Sequence, residues 1–262
     1  MNLVSYQVSV LMTAYNRQLY IAEAIESVLA STYKNFELII VDDGSTDNTV
    51  AIAKSYEAKD ERIKVFINEK NLGDYPNRNK AASYAKGKYI KYLDSDDIMY
   101  PHCLQVMVSA MEKFPEAGYG LSASGYEEAP MPLIKDCKQT YLEHFSNKNH
   151  FDRAPGSAII CKDAFDAVGG FSGKRMIGDY ELWLKLSCKY PLVTFQRDLV
   201  WDRMHEAQER QSDYAKRYCK LRKEILNAAL ENAACPLNEM EIEQIKKQQR
   251  NKVLKNHIKK FI

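Results

Sequence analysis

Tyr89-Ile90-Lys91-Tyr92-Leu93-Asp94-Ser95-Asp96-Asp97 is the stretch that decides the fold. Its first five residues read as a buried strand, and three carboxylates crowd the turn that ends it. Ligands of open α/β sheets bind at the carboxyl ends of their strands. Like charges this close repel: at about 4 Å and an effective dielectric of about 20, each pair costs roughly 4 kcal/mol. A fold can relieve that cost with a proton, a basic side chain or a divalent cation. Taken alone, Asp-Ser-Asp is also an ordinary solvated turn, since Asp and Ser favour turns.

The flanking sequence repeats the pattern. Val8–Met12 is an apolar run closed by Thr13-Ala14-Tyr15-Asn16, and Phe36–Val41 is another, closed by Asp42-Asp43-Gly44-Ser45. Ile63–Ile67 predicts a third strand. Helical spacing of Ile21, Ile25, Val28 and Leu29 fills the first interval, and Ser45, Thr46 and Asp47 suit the start of a second helix. Pro76 to Lys86 predicts a third. Strands alternating with helices imply an α/β fold with a mostly parallel central sheet flanked by helices. There is no Gly-x-Gly-x-x-Gly after the first strand and no Gly-Lys-Ser/Thr loop, which argues against the usual dinucleotide and phosphate-loop sites.

Further on, Pro101–Phe114 predicts a helix, Gly118–Ser124 a strand, and 126–156 a long loop region over the sheet edge. Asp179–Tyr190 predicts a helix, Val193–Phe195 and Leu199–Met204 strands, and the chain from about Ser212 a basic helical extension. Trp183 and Trp201 read as core residues rather than sugar-stacking platforms. The expected division is 1–211, halved near residue 100, followed by 212–262.

Composition bounds the class. The 262 residues are 45% hydrophobic and 27% charged, which suits a soluble globular protein, and the net charge of +2 suggests no particular partner. No apolar run reaches the ~20 residues that span a bilayer, and the first residues carry no basic signal-type region. Six scattered cysteines include no Cys-x-x-Cys, which fits a reducing cytoplasm.

Four features in register carry a resemblance: Thr13-Ala14-Tyr15-Asn16, Asp42-Asp43-Gly44-Ser45-Thr46-Asp47, Asn71-Leu72-Gly73 with Arg78-Asn79, and Asp94-Ser95-Asp96-Asp97. Together they resemble the inverting family 2 glycosyltransferases of the GT-A fold, of the bacterial surface-polysaccharide type, over roughly residues 8–205. The resemblance implies sugar transfer from a nucleotide-diphosphate sugar to a saccharide or lipid-linked hydroxyl, with Mn²⁺ or Mg²⁺. By position it implies a donor site of Thr13, Ala14, Tyr15, Asn16, Asp42, Asp43, Arg78, Asp94, Ser95, Asp97 and Arg203. Asp42 would receive the nucleobase, uracil first, with guanine and thymine left open. Asp96 would hold the metal, with His205 as a further ligand. Oxygen-rich ligation completed by phosphates and waters suits these ions.

The resemblance also implies a general base at Asp179, in Met176-Ile177-Gly178-Asp179-Tyr180-Glu181-Leu182-Trp183. Gly178 departs from the family, which more often has Glu there. Asp179 at a helix start has a second reading, as a cap, and Glu181 reads as an ordinary helix acid. Val168-Gly169-Gly170-Phe171 resembles the family's turn before the acidic pair. Trp201-Asp202-Arg203-Met204-His205 resembles its segment closing over the phosphates. The tail, 243–262, holds seven Lys and Arg against Glu243, with Leu254, Ile258 and Phe261 on one face. It reads either as a solvated helix packed on the domain or as a peripheral contact with the inner face of a membrane. No recognition module accompanies its charge, so nucleic acid is not an expected partner. Two other classes share parts of this pattern. A sugar nucleotidyltransferase would need a Gly-rich basic segment after the first strand, which is missing. A non-catalytic nucleotide-sugar binder is kept open by Gly178.

Overall fold

The computed structural model describes residues 6–123, 125, 129–205 and 215–258, and the structural statements below concern those residues. Strands β1 (Val8–Ala14), β2 (Phe36–Asp42), β3 (Ile63–Ile67) and β4 (Tyr89–Asp94) alternate with helices α1 (Ile21–Leu29), α2 (Thr49–Glu57) and α3 (Asp74–Tyr84). They are parallel, in the order β3-β2-β1-β4. The register sets Ala14 beside Asp42 and Thr13 beside Asp94, so three of the sequence motifs end at one level of the sheet.

Burial on both faces explains the unbroken apolar runs. Val8, Val10 and Met12 face α1 and α4 (Cys103–Lys113); Leu11, Ile39 and Val41 face α3 and the helices that follow. The opposite edge of the sheet is closed by a buried polar clasp. Ser9 Oγ donates to Glu37 at 2.6 Å, and the two accept the backbone N–H groups of Lys86 and Gly87. Gly87 is required there, because a Cβ would stand 2.6 Å from the Ser9 nitrogen.

Beyond β4 the eight-stranded sheet becomes mixed. β8 (Ala158–Cys161) is antiparallel to β4 and to β6 (Tyr119–Ser122). β9 (Leu192–Phe195) is parallel to β6, and β7 (Leu133–Lys135) closes the edge. The expected loop over 126–156 is therefore corrected. It contains β7, α5 (Cys137–Glu143), a π-helical turn at His144–Lys148 and the start of a 3-10 turn at Pro155–Ser157. Buried polar pairs hold it down: Lys135 and His150 both bond Glu143 Oε2, at 2.9 and 2.8 Å. The strand expected over 199–204 shrinks to β10 (Val200–Trp201), paired with β5 (Ile98–Met99).

Helices α6 (Lys162–Ala167) and α7 (Gly178–Ser187) follow β8. Trp183 is fully buried on α7 and donates its indole N–H to the Arg153 carbonyl at 2.8 Å, as expected of a core residue. Trp201 is not core: it is 46% exposed, with the Arg203 guanidinium over its ring. The basic extension is two helices, α8 (Ala215–Glu231) and α9 (Glu239–Ile258). Ile225, Leu230, Leu237 and Ile245 join the same core as α7, so the first half of α9 packs on the domain. The expected apolar face of Leu254, Ile258 and Phe261 lies outside the described side chains. All six cysteines are free thiols.

Candidate active site

The acids at the end of β4 relieve their repulsion in different ways. Asp94 is bound by Arg78 from α3, Nη2 to Oδ1 at 2.7 Å, and the same guanidinium holds Asp74 at 2.7 Å. Asp96 Oδ2 receives Arg17 Nε at 3.0 Å and lies 2.9 Å from His205 Nε2. Asp97 Oδ1 accepts the Arg203 backbone N–H at 3.0 Å. Burial, with repulsion from Asp94 and Asp96, pushes its carboxyl up to about 7. Ser95 is buried between them. Beneath the cluster Lys91 is fully buried, donates to the Tyr92 and Gly156 carbonyls, and is lowered by desolvation.

The loops after β1 and β2 are built to stay in place. Asn16, at φ 52°, accepts Thr46 N–H at 2.9 Å on its amide oxygen and donates its own N–H to Ser45 Oγ. Asp42 accepts both Gly44 and Ser45 N–H groups. The Ser45 hydroxyl donates to it as well, and Asp42 is 1% exposed, so its carboxylate is committed to holding this loop. Asp43 is a structural tie: Asn68, Leu72 and Gly73 all donate to it, which fixes the 68–73 loop. Thr13 and Ala14 line the strand end, and Tyr15 is 46% exposed. An open cavity of about 500 Å³ lies alongside, lined by Asn16, Arg17, Gln18, Leu19, Tyr20, Asp47 and His205.

The 201–205 segment straps this cavity. Arg203 stacks on Tyr20 at 5.0 Å, donates Nε to the Asp96 carbonyl at 2.9 Å, and reaches Glu23. His205 stacks on Tyr20 with 4.9 Å between centroids. Arg203 thus positions the segment, while His205 lines the cavity.

Arg78 links the strand-end acids to Asp179. It is 6% exposed, and its Nη1 is buried with no partner. An unsatisfied buried guanidinium nitrogen is costly, so a ligand oxygen would be well received there. Its charge also acts on Asp179, at the start of α7. The Asp179 carboxyl is pushed up to about 6, mainly by desolvation, against the Tyr180 N–H at 2.7 Å, the Tyr75 hydroxyl and Arg78. The N-cap of α7 is Ile177, so Asp179 is not the cap residue. Glu181 pairs with Lys174 at 2.6 Å, as an ordinary helix acid does. Gly169 and Gly170 turn with φ 75° and 60°, and Asn79 holds Phe171 by both its N–H and its carbonyl.

Among the described residues no group of three or more His, Cys, Asp or Glu gathers as a metal site. The pair Asp96–His205 nevertheless fits part of one. Adjacent ligands on an octahedral ion with bonds of about 2.1 Å lie about 3 Å apart, close to the observed 2.9 Å. Mn²⁺ and Mg²⁺ take their remaining ligands from phosphates and waters. Arg17, which shares the Asp96 oxygen, was not singled out in the sequence. Its only signal was its place at the end of the first strand's loop.

Comparison with known proteins agrees with this architecture. The model of glycosyl transferase family 2 matches residues 9–169, more than half of the chain. The chain belongs to this family. It is 44% identical over 108 residues to the UDP-Glc:alpha-D-GlcNAc-diphosphoundecaprenol beta-1,3-glucosyltransferase WfgD of Escherichia coli, covering 41% of this chain and 42% of that one. It is 45% identical over 191 residues to the uncharacterized glycosyltransferase MJ1057 of Methanocaldococcus jannaschii, covering 68% and 63%. The chain spans less than half the length of most of the curated relatives it matches. Among solved structures, S. aureus TarS 1-349 in complex with UDP-GlcNAc superposes with TM-score 0.72 at 20% identity, covering 91% of this chain and 70% of that one. The mannosyltransferase PcManGT from Pyrobaculum calidifontis, in complex with GDP-Man and Mn2+, gives 0.61 at 16% identity, covering 95% and 82%. These likenesses show the GT-A fold.

Proposed function

We propose that this chain is an inverting glycosyltransferase that moves a sugar from a nucleotide-diphosphate donor, a UDP-sugar first, to a hydroxyl of a saccharide or lipid-linked acceptor in surface-polysaccharide assembly. The observation that carries this reading is Arg78. It pairs with the Asp94 carboxylate at the strand ends, its charge favours the ionised form of the half-buried Asp179, and one guanidinium nitrogen has no hydrogen-bond partner among the described residues. Arg78 thus supports a donor site and a base within one neighbourhood.

Thr13, Ala14, Tyr15 and Asn16 flank the nucleoside, and Asp42 holds the loop beside it. Arg78 and Arg203 face phosphate and Asp94 the sugar or ribose, while Asp43, Ser95 and Asp97 shape the pocket. Asp96 and His205 would hold Mn²⁺ or Mg²⁺, which offsets the negative charge growing on the leaving diphosphate. Asp179 accepts the acceptor's hydroxyl proton as that oxygen bonds to the anomeric carbon. The bond from that carbon to the diphosphate oxygen breaks, and its electron pair leaves with the nucleoside diphosphate. A base with a pKa near 6 is ionised at neutral pH yet more basic than an ordinary carboxylate. The relatives' printed substrates, UDP-Glc with a lipid diphosphate and UDP-GlcNAc, support the choice of donor class.

The division into a 1–211 transferase unit and a 212–262 extension belongs to the same proposal. So does a cytoplasmic site of action with peripheral contact through 243–262. Among the described residues no helix is long and apolar enough to cross a membrane. Titration calorimetry with UDP, GDP and dTDP, each with Mn²⁺ and with chelator, tests the donor site. The expected outcome is metal-dependent binding of UDP; binding of none of the three would overturn the reading.

A further inference from the structure

Gly178 and Tyr75 share one space. A Cβ on Gly178 would lie 2.8 Å from Tyr75 Cδ2 and 2.9 Å from Cε2, well inside contact distance. The Tyr75 ring is 5% exposed and packs on Phe171 with 4.9 Å between centroids, so it has little room to retreat. The bare residue at 178 therefore lets an aromatic ring from the first turn of α3 lie against the first turn of α7. The hydroxyl end of that ring therefore lies beside Asp179, close enough to act on its carboxylate.

We propose that Tyr75 is a positioning residue for Asp179: its hydroxyl, seated where Gly178 carries no side chain, orients the carboxylate and favours its ionised form. This rests on the reading of Asp179 as the base. The other groups facing that carboxylate do not replace Tyr75. Arg78 also favours the ionised form, but through its charge, while its Nε and Nη2 are bonded to Asp74 and Asp94. Asp74 itself opposes ionisation, and Tyr218 from α8 is tied to Arg222. Burial raises the Tyr75 phenol far above its ordinary range, so it stays protonated and able to donate at any working pH. Hydrogen bonding to the charged form of a carboxyl stabilises that form.

The test uses Y75F, which keeps the ring and removes the donor, and G178A, which keeps the donor and displaces the ring. The first readout is the carbon-13 carboxyl titration of Asp179 by NMR, which needs no turnover. Its midpoint is expected near about 6 in the parent and about one pH unit higher in both variants. The second is the pH profile of kcat/KM, whose rising limb shifts the same way, a drop of about fivefold at pH 6. A midpoint unmoved in both variants overturns the proposal. D179N separates the two readings. A moved midpoint with an active D179N retires the base assignment alone. An unmoved midpoint with an inactive D179N retires the Tyr75 proposal alone.

Discussion

Carboxylates in two regions of the molecule, the 133–150 edge and the strand-end site with the start of α7, are treated in opposite ways. Burial alone would raise Glu143, at the 133–150 edge, but hydrogen bonds from Lys135, Gln139 and His150 outweigh it and hold the group down to about 2. Asp97, at the end of the parallel half, and Asp179, at the start of α7, are pushed up to about 7 and about 6, because desolvation is not matched by their partners. Glu143 is a finished ion pair network whose worth is structural. Asp97 and Asp179 are left short of positive charge in a region that also holds an unpaired guanidinium nitrogen. Under-compensated buried charge is a pointer to a ligand site; at Glu143 the compensated charge holds the fold.

Substitutions on each side should separate the two roles. The largest effect is expected for D179N: kcat falls by about 10²–10⁴-fold, while nucleotide affinity by calorimetry stays as in the parent. Full activity would place the base elsewhere. D96N should lose about 10²–10³-fold in kcat/KM and abolish the dependence of nucleotide binding on Mn²⁺. Retained metal dependence would remove Asp96 as a ligand.

On the structural side E143Q should cost about 2–3 kcal/mol, below the full price of a completely buried pair, and lower Tm by roughly 5–10 °C. Activity per folded molecule should not change; a matching loss of kcat would erase the distinction between the two regions.

The smallest effects are in pH. kcat/KM should rise with pH through about 6 as Asp179 ionises, and a flat profile there would break its assignment. Stability has the opposite signature for the two acids. The folded pKa of Glu143 is below its unfolded value, so its contribution is present above about 4.5 and is lost as pH falls through about 2. The folded pKa of Asp179 is above its unfolded value. Its contribution is therefore full below about 3.8 and lost as pH rises through about 6. Thermal unfolding of E143Q and D179N across pH 2–8 reads both signs.

Legibility divided along the same line. The strands Val8–Ala14, Phe36–Asp42, Ile63–Ile67 and Tyr89–Asp94 stood out because parallel strands buried on both faces are continuous apolar runs. β7 and β8 did not. Each is three or four residues long, and what makes them strands is a neighbour far off in sequence: Lys135 opposite Leu192, Ile160 opposite Ile90 and Tyr119. The helix from 74 was expected from Pro76, and the missing first turn is the one that carries Tyr75.

The sequence by itself determined the parallel half, the level at which its loops end, and the acids gathered there, because each follows from local periodicity and from which residues close each run. Only the tertiary structure decided how those acids are neutralised. Arg17, His205 and Arg203 reach the 96–97 turn from 79 to 109 residues away. Gly178 was legible as a departure from the family, yet only the structure shows the Tyr75 ring from another helix packed where its Cβ would be. Charge balance and close packing are sums over neighbours in space, and a linear chain does not display its neighbours in space.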